Sequence, residues 1–333
     1  MRDLDPGYFA LVMATGVLSI AAYLLGFYDL AWLLFLGSLV AFGVLGVLSV
    51  LRLALYRSAV ADDLANLSCG SAFLTTVAAT CILGSQFVIV DGNGSAALAL
   101  FLLGCFSWIT ITYLLLGSVV GQREKPPLED TLDGGWLLLV VSTQSVSTLA
   151  TLVAPFAPGQ KVAVDFLALG AFMLGAMLYI ILAALIVYRL IFLPLAPQQF
   201  TSSYWISMGA AAITVVAGTT LARSEPIWES LQAALPMLVP LVLMFWAVAS
   251  WWIPLLITLG LWSRLQTRFS LEYKSSYWAL VFPLGMYATS TFELGKVLGL
   301  SFLFEVAYYM FLVAFLVWVV VLLGLIHSGL RRQ

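Results

Sequence analysis

Between Ser275 and Lys296 the chain reads SSYWALVFPLGMYATSTFELGK, a segment with the length and apolar character of a bilayer crossing that carries Phe282 directly before Pro283 near its centre. The proline removes one backbone hydrogen bond and bends the helix, which hydrocarbon does not tolerate unless neighbouring helices or a water-filled lumen satisfy the freed carbonyl. Ala279, Phe282, Met286 and Thr289 share one face by three-and-four spacing, so a flat aromatic ring stands among small and hydroxyl-bearing residues. Such a face can pack beside a kink or line a passage, and the spacing fits both readings of Phe282.

The other groups with chemistry to offer are mostly hydroxyls. Thr15, Ser19, Thr75, Thr76, Ser145, Thr148, Thr214 and Thr289 lie inside apolar segments. Backbone N–H groups left unpaired where such helices bend favour anions. Gln144 can donate to an anion or to a neighbouring helix, and Glu293 and Lys296, spaced i,i+3, can pair at the membrane interface. No odd-numbered span carries a carboxylate near its centre, which removes the usual parts of a proton-driven pump or a cation channel. No Ser/His, Cys/His or paired-carboxylate constellation is present, so neither an enzyme nor a cofactor is expected. His327 is the single histidine and Cys69, Cys81 and Cys105 lie in apolar runs, which gives no basis for a metal cluster or a disulfide framework.

These residues must be positioned by membrane helices. Of 333 residues, 63% are hydrophobic and 9% charged, where a soluble domain carries about 25% charged residues; the mean hydropathy is +1.08. A net charge of −2 with no basic patch excludes a nucleic-acid partner. The whole chain, 1–333, reads as a single transmembrane domain. With about 20 apolar residues needed per crossing, the predicted spans are Gly7 to Gly26, Ala31 to Val50, Asn66 to Ser85, Ala97 to Leu116, Gly135 to Ala154, Gly170 to Arg189, Tyr204 to Ala222, Leu241 to Gly260, Tyr277 to Lys296 and Phe304 to Leu323. The first run is read as a span rather than a signal peptide. Asp91-Gly92-Asn93-Gly94 predicts a tight turn, Gln122 to Asp133 a polar loop, and Pro194 and Pro197 the close of the sixth span.

Orientation follows from the basic residues. Arg2, Arg52, Arg57, Arg123, Lys125, Arg189, Arg264, Arg268, Lys274, Arg331 and Arg332 fall on the N-terminal side, and only Lys161, Arg223 and Lys296 on the other. That asymmetry places both termini in the cytoplasm of a plasma (inner) membrane protein and requires an even number of spans.

A repeat is also visible. Ser202-Ser203-Tyr204-Trp205 opens the seventh span and Ser275-Ser276-Tyr277-Trp278 the ninth, while Gly7-Tyr8-Phe9 and Gly134-Gly135-Trp136 place aromatics similarly in the first and fifth. Gly, Ala, Ser and Thr make up nearly half of the odd spans and about a quarter of the even ones, which are bulky nearly all round. The expected fold is all-α: five helical hairpins around a central pore, odd helices inner and even helices outer. Aligned on the opening aromatics, Met13, Val140, Gly209 and Phe282 fall at equivalent depth.

The opening Pro6-Gly7-Tyr8-Phe9 with Met13-Ala14-Thr15-Gly16, and above all Trp278-Ala279-Leu280-Val281-Phe282-Pro283, resemble the tellurite-resistance/dicarboxylate transporter family, which includes plant guard-cell slow anion channels and yeast malate and sulfite permeases. The resemblance covers essentially the whole chain. It implies a homotrimer in the lipid bilayer, each subunit with its own pore lined by the five odd helices, and a phenylalanine at the position of Phe282 that occludes the pore and rotates aside for anions. Pro283 and Gly285 then support the gate, and the expected pore lining is Met13, Gly16, Ser19, Thr75, Thr76, Val140, Gln144, Ser145, Thr148, Gly209, Thr214, Ala279, Met286 and Thr289. The family's inner helices are often bent by prolines; here only the ninth has one near its centre, so Gly16, Gly70 and Gly209 must permit bending elsewhere. The expected activity is passage of small monovalent anions such as chloride or nitrate, with a carrier for C4-dicarboxylates, sulfite or tellurite as the rival.

Overall fold

The computed structural model describes residues 2, 4–157, 159–225, 232–233, 235–267 and 273–330. Arg268, Arg331 and Arg332, which contribute to the orientation argument, lie outside the described residues. Among the described residues ten long helices carry the fold: α1 (Phe9–Leu24), α2 (Tyr28–Leu55), α3 (Leu74–Gln86), α4 (Gly94–Val120), α5 (Leu138–Val153), α6 (Lys161–Phe192), α7 (Ile206–Ala222), α8 (Leu238–Gln266), α9 (Trp278–Leu298) and α10 (Phe302–Leu330).

Nine of these elements, with their short flanking turns, are long and apolar enough to cross a membrane. The exception is α9. At about 1.5 Å per residue its 21 residues reach across a hydrocarbon core, but Pro283, the run Thr289-Ser290-Thr291, Glu293 and Lys296 dilute its apolar character. The chain is a multi-pass, all-α membrane protein.

The contrast between small and bulky helices becomes a contrast in burial. In an 18-residue apolar stretch of each odd-numbered span ahead of α9, 72% to 94% of residues are buried, against 17% to 33% in the even-numbered ones. Helix α9 follows the odd pattern and buries fifteen of its 21 residues. The odd helices pack in a closed ring in the order α1, α3, α5, α7, α9 and back to α1, and each also packs on the even helix that follows it in sequence. Close approach within the ring and between its two layers depends on missing side chains. A β-carbon on Gly16 of α1 would stand 2.7 Å from Ile82 Cγ2 of α3, and one on Gly218 of α7 would stand 2.3 Å from Val242 of α8.

Each inner helix opens with a short 3-10 turn: Pro6–Tyr8, Gly70–Phe73, Gly134–Leu137, Ser202–Trp205 and Ser275–Tyr277. Polar groups stitch these openings together. Asp5 Oδ1 caps its own turn through Gly7 N (2.8 Å) and Asp133 Oδ1 through Gly135 N (2.9 Å). Their second oxygens accept from the two repeat serines, Ser275 Oγ to Asp5 Oδ2 (2.7 Å) and Ser203 Oγ to Asp133 Oδ2 (2.6 Å), while Ser202 Oγ donates to the Ser276 carbonyl (2.7 Å). The opposite ends turn sharply into the outer helices on left-handed glycines, as at Gly92 (φ 74°) and Gly299 (φ 67°), a conformation that side chains with a β-carbon resist. Asn93 Oδ1 then caps α4 by accepting from Ala96 N (3.0 Å).

A second set of ties runs sideways. Every outer helix donates a hydrogen bond to the inner helix of the next hairpin in the ring. Ser38 Oγ of α2 reaches Gln86 Oε1 of α3 (2.8 Å), Trp108 Nε1 of α4 reaches Thr143 Oγ1 of α5 (3.0 Å), and Tyr179 OH of α6 reaches the Ser207 carbonyl of α7 (3.1 Å). Trp246 Nε1 of α8 reaches Thr291 Oγ1 of α9 (3.0 Å), and Trp318 Nε1 of α10 returns to Thr15 Oγ1 of α1 (3.0 Å).

Two elements depart from the sequence expectation. Helix α6 begins at Lys161, nine residues before the predicted Gly170, because its charged first turns hold the i,i+4 pair Lys161–Asp165 (3.4 Å) that an apolar window rejects. The third span starts at Gly70 rather than Asn66, since Asn66 ends a separate short helix, Arg57–Ala65, whose Asp63 pairs with the buried Arg52.

Candidate functional site

A cavity of about 590 Å³ opens at the ends of the inner helices where the chain turns outward. All five inner helices line it, each through residues three or four apart: Val17, Ile20 and Leu24 from α1; Ile82, Ser85 and, just beyond its end, Ile89 from α3; Ser145, Thr148 and Leu152 from α5; Ile213, Val216 and Thr220 from α7; and Met286, Thr289 and Glu293 from α9. This spacing is one face of a helix, so the cavity lies on the axis of the ring.

Extending each face by one turn away from the mouth gives Met13, Ala78, Val141, Gly209 and Phe282, all buried. Phe282 is by far the largest of the five and is 1% exposed. Around it, Met13, Ala78 and Val141 belong to the same apolar cluster as Phe282. Pro283 presses on α7, where Gly209 has no side chain to meet it, and Gly285 lies against Val17 and Leu18 of α1.

The cavity brings together four of the expected pore residues, Ser145, Thr148, Met286 and Thr289. Other members of that set are engaged elsewhere. Gln144 Nε2 donates to the Phe172 carbonyl of α6 (3.1 Å), and Ser19 Oγ donates to the Ala31 carbonyl of α2 (2.7 Å), so both turn toward the outer layer. Gly16 faces Ile82 and Gln86, and Thr75 Oγ1 donates to the carbonyls of Pro6 (3.0 Å) and Ala72 (2.6 Å) at the ring's opposite rim. Thr214 is buried and bonds to the Ala210 carbonyl of its own helix (2.8 Å), while Thr76 and Ala279 are half-buried and lie outside the cavity. Val140 is buried one residue out of register with the axial face, which Val141 occupies.

The cavity's hydroxyls within the helices share one habit, while Ser224 at the mouth bonds to the carbonyl of Leu221, three residues earlier. Ser85, Ser145, Thr148, Thr151, Thr220 and Thr289 each donate to the carbonyl four residues earlier, at 2.7 to 3.1 Å. Below the mouth the lining is therefore neutral, and its donors are held only by local, exchangeable bonds.

Charge gathers at the mouth. Lys161, Arg223 and Lys296, the three basic residues assigned by sequence to this side, all line the cavity. Arg223 Nη1 donates to Glu293 Oε2, and Lys296 Nζ donates to Glu293 Oε1 at 3.1 Å. Lys161 donates to Asp165 and to the Glu225 carbonyl. The Glu293–Lys296 pairing was visible in their spacing; Arg223, seventy residues away, left no signal of joining them.

Comparison with known proteins gives a concordant result. Residues 3–326 match the family model described as voltage-dependent anion channel. Two proteins of Methanocaldococcus jannaschii, each named as an uncharacterized transporter, are similar over nearly the full length. One is 24% identical over 337 residues, covering 98% of this chain and 95% of the relative, and the other is 25% identical over 333 residues, covering 97% and 92%. An uncharacterized membrane protein of Mycobacterium tuberculosis is 32% identical over 150 residues, 45% of this chain and 76% of its own.

Proposed function

This chain belongs to the voltage-dependent anion channel family, and from that membership we propose that it passes small monovalent anions such as chloride and nitrate along the axis of the inner ring, through a pore closed by Phe282. The reading includes ten crossings with both termini in the cytoplasm, so that the open cavity faces outward, and a homotrimer with one pore per subunit.

The observation that carries it is the axial cavity. Its inner wall is neutral and hydroxyl-bearing, its mouth holds three cations together with the carboxylates Asp165, Glu225 and Glu293, and one helical turn inward from the lining residues come Met13, Ala78, Val141, Gly209 and Phe282. A conducting pore must bind its ion weakly enough to release it. Hydroxyls that already donate to their own helix meet that need, because an anion gains each donor only by displacing a backbone bond of comparable strength. A divalent substrate would favour a fixed cation midway along its path, whereas the cations lining this cavity lie at its mouth.

The test is anion flux into liposomes reconstituted with wild type and with Phe282→Ala. Flux several-fold higher in the variant supports the gate; unchanged flux in a folded variant removes it. Saturable, proton-coupled flux indifferent to Phe282 would favour a carrier instead.

A further inference from the structure

Glu293 is held as a bound anion would be. It sits in the last turns of α9 with its side chain 11% exposed, and both carboxylate oxygens are taken: Oε2 by Nη1 of Arg223, the residue that follows α7, and Oε1 by Lys296 Nζ at 3.1 Å. Charge-assisted bonds of this kind are strong, and a guanidinium presents a fork matched to planar oxyanions. We propose that Arg223 and Lys296 form an anion-binding site at the cavity mouth, and that Glu293 is its tethered occupant, which an entering anion displaces. The proposal rests on the channel reading and adds to it a site that selects.

Three features of the mouth support this assignment. The two cations remain accessible, with side chains 48% and 33% exposed, while the carboxylate between them is the most enclosed member of the triad. Lys296 is steadied from behind by the Phe292 ring, 4.7 Å from its ammonium, so it stays in place when its partner changes. Glu293 is also the innermost charged residue on its face, one turn outward from Thr289, so the triad stands between the mouth and the neutral hydroxyls on the α9 side of the cavity. Lys161, engaged by Asp165 and the Glu225 carbonyl, contributes charge to the mouth but not a free donor set.

Exchange of the tethered carboxylate for a mobile anion replaces one pair of charge-assisted bonds with another, while the displaced Glu293 keeps its charge nearby, so entry takes the triad from a net +1 to neutral. A planar oxyanion such as nitrate or a small carboxylate reproduces the Glu293 contacts, and a spherical halide does not. The site should therefore rank nitrate ahead of chloride at low concentration.

The experiment measures initial flux against external nitrate and chloride concentration for wild type, Glu293→Gln, Glu293→Asp and Lys296→Gln, each also in the Phe282→Ala background. Glu293→Gln removes the competitor's charge and is expected to lower the half-saturating nitrate concentration roughly three- to tenfold. Glu293→Asp should restore wild-type behaviour, and Lys296→Gln should raise the half-saturating concentration. An unchanged or higher value in folded Glu293→Gln protein overturns the proposal. Should that variant not fold, an unchanged value in Lys296→Gln overturns it equally. Failure of the gate reading looks different, since Phe282→Ala would then leave maximal flux at the wild-type level while half-saturation still moved with Glu293. Absence of anion flux from every variant ends both.

Discussion

Pro283 lies directly against Gly209: a β-carbon placed on the glycine would stand 2.9 Å from the proline Cγ, 3.0 Å from its Cβ and 3.1 Å from its Cα. A proline ring has no rotamer to retreat into, so α7 and α9 meet beside Phe282 with no slack. Gly209→Ala is expected to cost about 1–3 kcal/mol through overpacking, seen as a lower melting temperature in detergent. Wild-type stability in that variant would mean the two helices part freely at this level.

Phe282 should behave as a graded plug. If its ring closes the axis, flux rises in the order wild type, Phe282→Leu, Phe282→Ala, because each step removes volume where Ala78 and Gly209 supply almost none. Truncating a buried Phe to Ala commonly costs about 3–5 kcal/mol, so size-exclusion profiles must accompany the flux data. A leucine variant that leaks more than the alanine variant contradicts a steric gate.

The sideways ties should be individually weak. Thr291→Val and Thr15→Val each remove the acceptor of one tryptophan N–H, and bonds of this kind between membrane helices average about 0.6 kcal/mol. Unfolding titrations should show losses of that size in each single variant and their sum in the double, since the two bonds share no partner residue and close different seams of the ring.

The rim opposite the cavity has a pH signature. Burial raises the Asp133 carboxyl above its ordinary value, against the lowering effect of the Ser203 and Gly135 hydrogen bonds and of Arg189. A raised carboxyl binds its proton more tightly in the folded state, so its contribution is full below the unfolded value and is lost as pH rises through the folded one. Asp133→Asn has no charge to bury. Its melting temperature relative to wild type should climb from mildly acidic to neutral buffer; a difference that falls instead would mean that the hydrogen bonds outweigh burial.

The division into inner and outer helices was legible because close approach demands small residues, and these are confined to alternate spans. The axial register was legible for Met13, Gly209 and Phe282 but off by one at Val140. The cause is Trp136, third in its opening turn where Phe9, Trp205 and Trp278 are fourth residues from the start of theirs. Its indole donates to the Thr131 carbonyl (3.0 Å), a local task that shifts it out of step. Ala78 was missed because the third span opens at Gly70 with a lone Phe73 in place of the aromatic pair that marks the first, seventh and ninth.

Facing was harder to read than depth. An inner helix is small and hydroxyl-bearing on every side, so nothing in composition told Ser145, which meets the cavity, from Gln144, which meets α6. The mouth was half legible. Glu293 and Lys296 announced each other by spacing, but Arg223 arrives from another hairpin through the ring's closure, which only the packing of α7 on α9 supplies.

The five sideways ties have a topological consequence. The bond from Trp318 to Thr15 joins the last hairpin to the first by the same kind of link that joins neighbours along the chain. The assembly thus has no first or last member, and chain order is incidental to it. Because α1 begins and α10 ends on the same side of the ring, a circular permutant with these ends linked and a new opening cut between α2 and α3, within 66–69 on that same side, should assemble the same ring.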